Sequence, residues 1–423
     1  MNKRQEAKQR YYLARNLCGV CNATTILARC RYAPWRYLFL PLSLLAARIA
    51  RRRARKAQRA IDYSRKGTLR PIAFYLPQFH AIPENDQWWG KGFTEWTNVR
   101  RAEPIFDGHY QPHVPHPNLG YYDLGDVEVM RKQAEMAKRF GIYGFCFYYY
   151  HFKDGKRLLE KPLDHWLAHP EIDLPFCYCW ANENWTRAWD GGDKEILMRQ
   201  DYDMENMERL LHDMIPAFKD PRYIRTDGKP MLLVYRAELI PEMAKVAAAW
   251  RRIARENGFQ DLHLVHIQNL SRESPKRFGM DAASEFACFH TAPLIVNTAR
   301  PIELDSFKGT KRPVRYKAVR DYHLHLPAEA DYPRYKCVCP GWDNTPRRGL
   351  NATLIVDGEP VQFGAFLDEA FSATLADERL RKEGFVFVNA WNEWGEGAHL
   401  EPDVRYGYSN LEQVAAAIKR FSE

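Results

Sequence analysis

Two carboxylates three residues apart, Glu393 and Glu396, stand in the run Trp391-Asn392-Glu393-Trp394-Gly395-Glu396-Gly397. The apolar run Phe385-Val386-Phe387-Val388 precedes them and reads as a buried strand. Paired carboxylates at a strand end suit acid/base chemistry on a glycosidic bond: one acid protonates the departing oxygen while the other accepts a proton or attacks. The bland alternative is a solvated acidic loop. Interleaved Trp and Gly argue against it, because glycine lets the backbone turn so that both acids enter one pocket.

Polar and aromatic residues recur after the other apolar runs. Gln78 and His80 follow the first. Tyr149 and His151 close the second; Trp180, Asn182 and Glu183 the third; Tyr235 the fourth; Gln268 the fifth. Trp342 follows the seventh, and Asn392 lies beside Glu393 after the last. With Trp96 from the first long loop, these form the expected substrate-binding set. Each has a structural alternative. His80 and His151 fit satisfied core histidines, Glu183 fits an ion pair with Arg187, and Trp88, Trp89 and Trp96 fit loop packing. Arg100, Arg101, Arg187, Arg347 and Arg348 are candidates for gripping a diphosphate, or are surface arginines.

The elements that must position these groups alternate regularly. Strands are expected at 71–79, 143–150, 175–180, 230–235, 262–267, 282–289, 335–340 and 385–390. Helical patterns fall at 126–140, 158–167, 204–218, 241–257, 363–383 and 410–421, with a Pro-rich, charged insertion at 291–334. Strands alternating with helices imply a parallel α/β architecture. Eight strands over this length predict a (β/α)8 TIM-type barrel with long loop insertions, whose C-terminal strand ends carry the site. The alternative is an open doubly wound sheet. Against it, no Gly-rich phosphate loop follows the first strand.

The chain has 423 residues and a net charge of +9. Residues 1–66 hold 17 Lys/Arg against Glu6 and Asp62, a net of +15; the remainder holds 45 Lys/Arg and 51 Asp/Glu, a net of −6. The division expected is a basic, partly helical N-terminal arm (1–66) and a catalytic body (67–423), with no nucleic-acid partner. Within the arm, residues 34–59 combine an apolar stretch with Arg48, Arg51, Arg52, Arg53, Arg55 and Lys56. Arg36 and Pro41 interrupt that stretch, which is too short to span a bilayer. It suits a helix on an anionic membrane surface, a docking arm or a solvated linker. Of nine Cys, Cys177/Cys179 and Cys337/Cys339 fall inside expected strands and read as small buried hydrophobes, and the odd count favours a reducing compartment. Cys18, Cys21 and Cys30 lack a fourth zinc ligand at the usual spacing. A cytoplasmic protein, peripheral at the inner membrane face, is expected.

The body resembles the WbsX-type proteins, a group related to the endo-α-mannosidase family, glycoside hydrolase family 99. The matching segments are Ala73-Phe74-Tyr75-Leu76-Pro77-Gln78-Phe79-His80, Trp88-Trp89-Gly90-Lys91-Gly92-Phe93-Thr94-Glu95-Trp96 and His109-Tyr110-Gln111-Pro112. They continue with Gly144-Phe145-Cys146-Phe147-Tyr148-Tyr149-Tyr150-His151, Trp180-Ala181-Asn182-Glu183-Asn184-Trp185 and the Glu393/Glu396 motif with Glu401-Pro402. The resemblance implies a barrel and chemistry on mannose-like sugars without metal or other cofactor. It assigns Glu393 as base toward the sugar 2-hydroxyl and Glu396 as general acid/base. It further implies bacterial surface polysaccharide synthesis (O-antigen, lipopolysaccharide or capsule), with a glycan or lipid-linked saccharide acceptor and a nucleotide-sugar donor. Hydrolysis of mannose-type linkages and non-catalytic glycan binding are the alternatives.

Overall fold

The computed structural model describes residues 68–187, 192–288, 302–326 and 331–422. The N-terminal arm, including 34–59, lies outside them.

Eight parallel strands close into a barrel. They are β1 (Arg70–Tyr75), β2 (Gly144–His151), β3 (Phe176–Trp180), β4 (Lys229–Val234), β5 (His263–Gln268), β6 (Ala282–Glu285), β7 (Arg334–Val338) and β8 (Phe385–Val388). Each pairs with its neighbour in sequence order, and β1 closes the ring against β8, with Ile72 opposite Phe387. Closure removes the open edges that a doubly wound sheet would have. Several strands stop short of the apolar runs that predicted them. The first run continues past Tyr75 as extended loop, which frees Gln78 from the ladder.

Helices cover the outside. Val127–Arg139 starts at Asp126, whose carboxylate accepts the Glu128 N–H, and Met204–Lys219 starts at Asp203, which caps Asn206. The helix expected at 363–383 is two pieces, Pro360–Ala376 and Glu378–Arg381. Asp377 between them is extended and caps Arg379, ending one helix and starting the next. The insertion expected at 291–334 contains a barrel helix, Tyr316–Leu324, packed against Pro360–Ala376.

Side chains pointing inward fill the barrel. Phe74 stacks between Tyr148 and Phe387, with ring centroids 5.7 and 5.5 Å away, and meets Phe286 edge-on at 5.4 Å. Tyr235 lies against Phe286 and Tyr148 at 5.4 and 6.3 Å. This aromatic layer plugs the barrel and becomes the floor of whatever stands above it. Cys146, Cys177, Cys179 and Cys337 are buried thiols, as small apolar fillers. Cys339 departs from that expectation: the ends of β6 and β7 bring it to Cys288 as a disulfide, with a Cα–Cα distance of 6.4 Å.

Candidate active site

A cleft of about 540 Å³ opens above the aromatic floor, at the C-terminal ends of the strands. Glu393 and Glu396 enter it from the loop after β8. Their loop folds as a tight hairpin, Asn392–Glu393 paired antiparallel with Ala398–His399, around a single helical turn at Trp394–Glu396.

Both acids grip one arginine. Arg347 Nη2 lies 2.9 Å from Glu393 Oε2, and Nη1 lies 2.6 Å from Glu396 Oε1. The third nitrogen, Nε, donates to Glu95 Oε1 at 2.9 Å. Glu95 opens the short helix Glu95–Arg101 and is 1% exposed. Three carboxylates thus surround one guanidinium, and the group is short of positive charge. Burial pushes the Glu393 carboxyl up to about 8; Arg347 opposes the rise, while Glu396 and Glu95 add to it. Glu396 is raised too, first by burial, with Arg347 again opposing and Glu95 adding. The pair therefore keeps a proton in common at neutral pH, as acid/base catalysis needs.

Gly395 lies between the acids because nothing larger fits. A Cβ there would meet Glu95 Oε1 at 2.0 Å and Arg347 Nε at 2.9 Å. Gly397 follows with φ +62°, the left-handed turn that brings the chain back into the hairpin. Behind the loop, Trp394 donates its Nε1–H to Glu401 Oε2 at 2.6 Å. Glu401 also accepts from Tyr122 Oη (2.8 Å) and Gln133 Nε2 (2.7 Å), and burial lifts its carboxyl to about 7.

The cleft brings together Gln78, Glu183, Tyr235, Trp342, Glu393 and Glu396 from the expected set. Glu183 pairs with Arg236; the side chain of Arg187, its expected partner, lies outside the described ones. The other members lie elsewhere. Tyr149 faces outward, packed on Tyr178 and capped by Arg157 at 5.3 Å. His151 points toward Asp213 of an outer helix at 3.7 Å, and burial depresses its ring to about 4. Trp180 packs on Trp250 of another outer helix. The side chains of successive strand residues alternate, so Tyr148 and Tyr150 line the cleft while Tyr149 and His151 cannot. His80 is buried, and desolvation lowers it to about 4. Gln268 donates to the Glu273 carbonyl and Tyr332 Oη. Trp96 packs behind the cleft on Phe79 and Trp394, and its Nε1 donates to the Tyr122 carbonyl.

Asn182 and Asn392 hold backbone instead of facing the cleft. Asn392 Oδ1 accepts the Leu76 N–H at 2.7 Å and its Nδ2 donates to the Leu76 carbonyl at 2.9 Å. Asn182 does the same to Arg236, at 2.7 and 2.8 Å.

Sequence reasoning missed Glu95 as part of the carboxylate group and treated Arg347 as a surface or diphosphate residue. Glu95 stood beside Trp96 in a motif already singled out, but its partner is 252 residues away. The aromatic wall was also only partly anticipated: Trp185 stands between Trp88 (6.0 Å) and Tyr150 (5.2 Å), edge-on to both. Of the other arginines, Arg348 lines the cleft, Arg100 covers Tyr121 at 4.0 Å, and Arg101 donates to Asn98.

Residues 71–414 match the family model described as glycosyltransferase WbsX. The uncharacterized protein WxcX of Xanthomonas campestris pv. campestris, strain B100, is 42% identical over 356 residues, 82% of this chain and 49% of that protein. The protein of the same name from strain ATCC 33913 matches equally. The chain spans about half the length of these curated relatives. Among solved structures, the GH99 endo-alpha-mannosidase from Bacteroides thetaiotaomicron superposes with a TM-score of 0.55 at 17% identity, over 83% of this chain and 97% of that one. A "glycoside hydrolase-like protein" gives 0.55 at 14% identity, over 85% and 96%.

Proposed function

The chain belongs to the WbsX glycosyltransferase family, and on that premise we propose that it transfers a glycosyl unit during assembly of a bacterial surface polysaccharide. The observation that carries this reading is the carboxyl pair: Glu393 and Glu396, on one hairpin, share one arginine above an aromatic floor. Aromatic faces such as those of Trp88, Trp185 and Tyr150 suit the C–H faces of sugar rings, and a cleft of this size takes two or three of them.

In the proposed reaction Glu393 takes the proton of the sugar 2-hydroxyl, whose oxygen attacks the anomeric carbon. The bond to the departing oxygen breaks as Glu396 protonates it. Glu396 then takes a proton from the acceptor hydroxyl, that oxygen opens the strained ring, and Glu393 returns its proton to the 2-oxygen. The shared proton must lie on Glu396 when the sugar is bound, and Arg347, touching both, is placed to favour that exchange.

The test is transfer from nucleotide-sugar donors to lipid-linked acceptors by the purified chain. Glu393→Gln and Glu396→Gln are each expected to lower turnover by about 10²- to 10⁴-fold, the range for general acid/base groups, with glycan affinity retained. Wild-type protein that transfers to no acceptor but releases mannose from oligosaccharides would replace this reading with the hydrolytic one. Retained glycan binding with neither activity would replace it with a binding role.

A further inference from the structure

A second cavity, of about 250 Å³, lies behind the catalytic hairpin, and Trp342 lines both spaces. On its wall His113, His399 and Asp403 bring one donor atom each to within 4.8 Å of one another. His113 Nδ1 is 2.9 Å from His399 Nε2. Nitrogens facing each other this closely share either a proton or a cation. Two nitrogens each about 2.1 Å from one ion stand about 3 Å apart at a right angle and about 3.4 Å apart at the tetrahedral angle of zinc, so an ion here would part the rings by a few tenths of an ångström.

The tautomer of His399 leaves its facing nitrogen open to a cation or to the His113 N–H. His399 Nδ1 lies 2.9 Å from the Glu401 carbonyl, which only accepts, so Nδ1 carries the hydrogen and Nε2 turns its lone pair toward His113. Asp403 Oδ1 accepts the Tyr406 N–H at 2.5 Å, which fixes the carboxylate. His399 and Asp403 are 4% and 3% exposed, so neither is a casual surface group. Asp343 adds a second negative charge on the same wall, held by His109 and Gln111 at 2.6 Å each. Arg405 opposes it from over Tyr110 and Tyr406. Two imidazoles, one carboxylate and room for water make the donor set of a first-row divalent metal.

The geometry points to a divalent transition-metal site, of the zinc class, formed by His113, His399 and Asp403. The ion would clip the segment carrying His113 to the hairpin carrying Glu393. His399 pairs with Asn392 in that hairpin, and its ring stacks on Trp394 at 3.7 Å. The ion positions the catalytic loop and takes no part in bond making, so the site does not depend on the transfer reading.

The test uses the full chain without a histidine tag, stripped by chelator and then titrated with Zn²⁺ by calorimetry, with metal content measured by mass spectrometry. About one equivalent is expected, together with a higher melting temperature. Asp403→Asn and His113→Gln should each weaken binding by at least about tenfold and abolish the thermal gain. Circular dichroism checks that the variants fold; His113, partly exposed on a loop, is the milder change. Wild-type protein that takes up no equivalent overturns the site and leaves a hydrogen-bonded imidazole pair. An equivalent retained at full affinity in both variants also overturns it.

Discussion

Arg347 balances one of the three carboxylates around it, so each proton the group holds lowers the remaining excess of negative charge. Glu393 and Glu396 are both raised, Glu393 to about 8, with burial the largest cause. That value belongs to the coupled pair: the proton the two acids hold between them is present below about 8 and is lost as pH rises through it, and Glu396, its proposed holder with sugar bound, then has none to donate. We expect kcat/KM to decline on an alkaline limb near pH 8. Glu95→Gln removes a like charge that raises both acids, so it should move the limb down by about one pH unit or more. An unmoved limb in that variant would separate Glu95 from the titration. Gly395→Ala tests the same packing sterically. Its Cβ must displace Glu95 or Arg347, so turnover should fall while stability drops by about 1–3 kcal/mol. Turnover at the wild-type level would mean that the group tolerates rearrangement. The two acids themselves were legible from type and spacing. Glu95 and Arg347 were not, because lone acids and arginines carry no local signal of a partner hundreds of positions away.

Two strand ends are tied together by asparagine side chains acting as an extra peptide unit. Asn392 bonds both backbone groups of Leu76, and Asn182 both of Arg236. Each continues the barrel's hydrogen bonding past the last ladder pair, at the level where the cleft begins. Asn392→Asp replaces a donor with an acceptor facing the Leu76 carbonyl. The cost should be about 1–3 kcal/mol at neutral pH, read from the denaturant midpoint. Below the folded-state pKa of the new carboxyl its O–H can donate, so the gap to wild type should narrow on acidification; a widening gap would count against this role. Both asparagines read from the sequence as substrate ligands, because a polar residue at a strand end looks the same whether it faces substrate or a neighbouring backbone. The apolar runs predicted the eight strands well, since burial on both faces leaves a continuous signal. They did not predict parity. A strand such as Gly144–His151, with four polar-aromatic residues at its end, gives no hint which two face inward. Closure of the barrel decides that, sending Tyr148 and Tyr150 to the cleft and Tyr149 and His151 to the helices.

Charge is divided along the chain in a way the barrel alone does not explain. The arm carries a net of +15 and the rest −6, so an anionic surface repels the body and attracts the arm. No helix among the described residues is long and apolar enough to cross a membrane. A lipid-linked acceptor, part of the proposed function, would be met at the bilayer surface, and we propose that residues 34–59 hold the chain there. Each Lys or Arg near an anionic surface contributes about 1 kcal/mol. The six from Arg48 to Lys56 therefore reach roughly 6 kcal/mol if all approach it, enough to concentrate the enzyme there. Such binding must weaken with salt, because the screening length falls from about 10 Å at 0.1 M to about 3 Å at 1 M. The full chain should co-sediment with vesicles rich in anionic lipid, release at high salt and ignore neutral vesicles. Replacing Arg51, Arg52, Arg53, Arg55 and Lys56 with glutamine should remove the binding while leaving turnover of a soluble acceptor unchanged, because the cleft is built from residues after 70. Equal binding to neutral vesicles would assign the arm's hold to its apolar stretch. No binding to either would leave the arm as a docking segment for another protein.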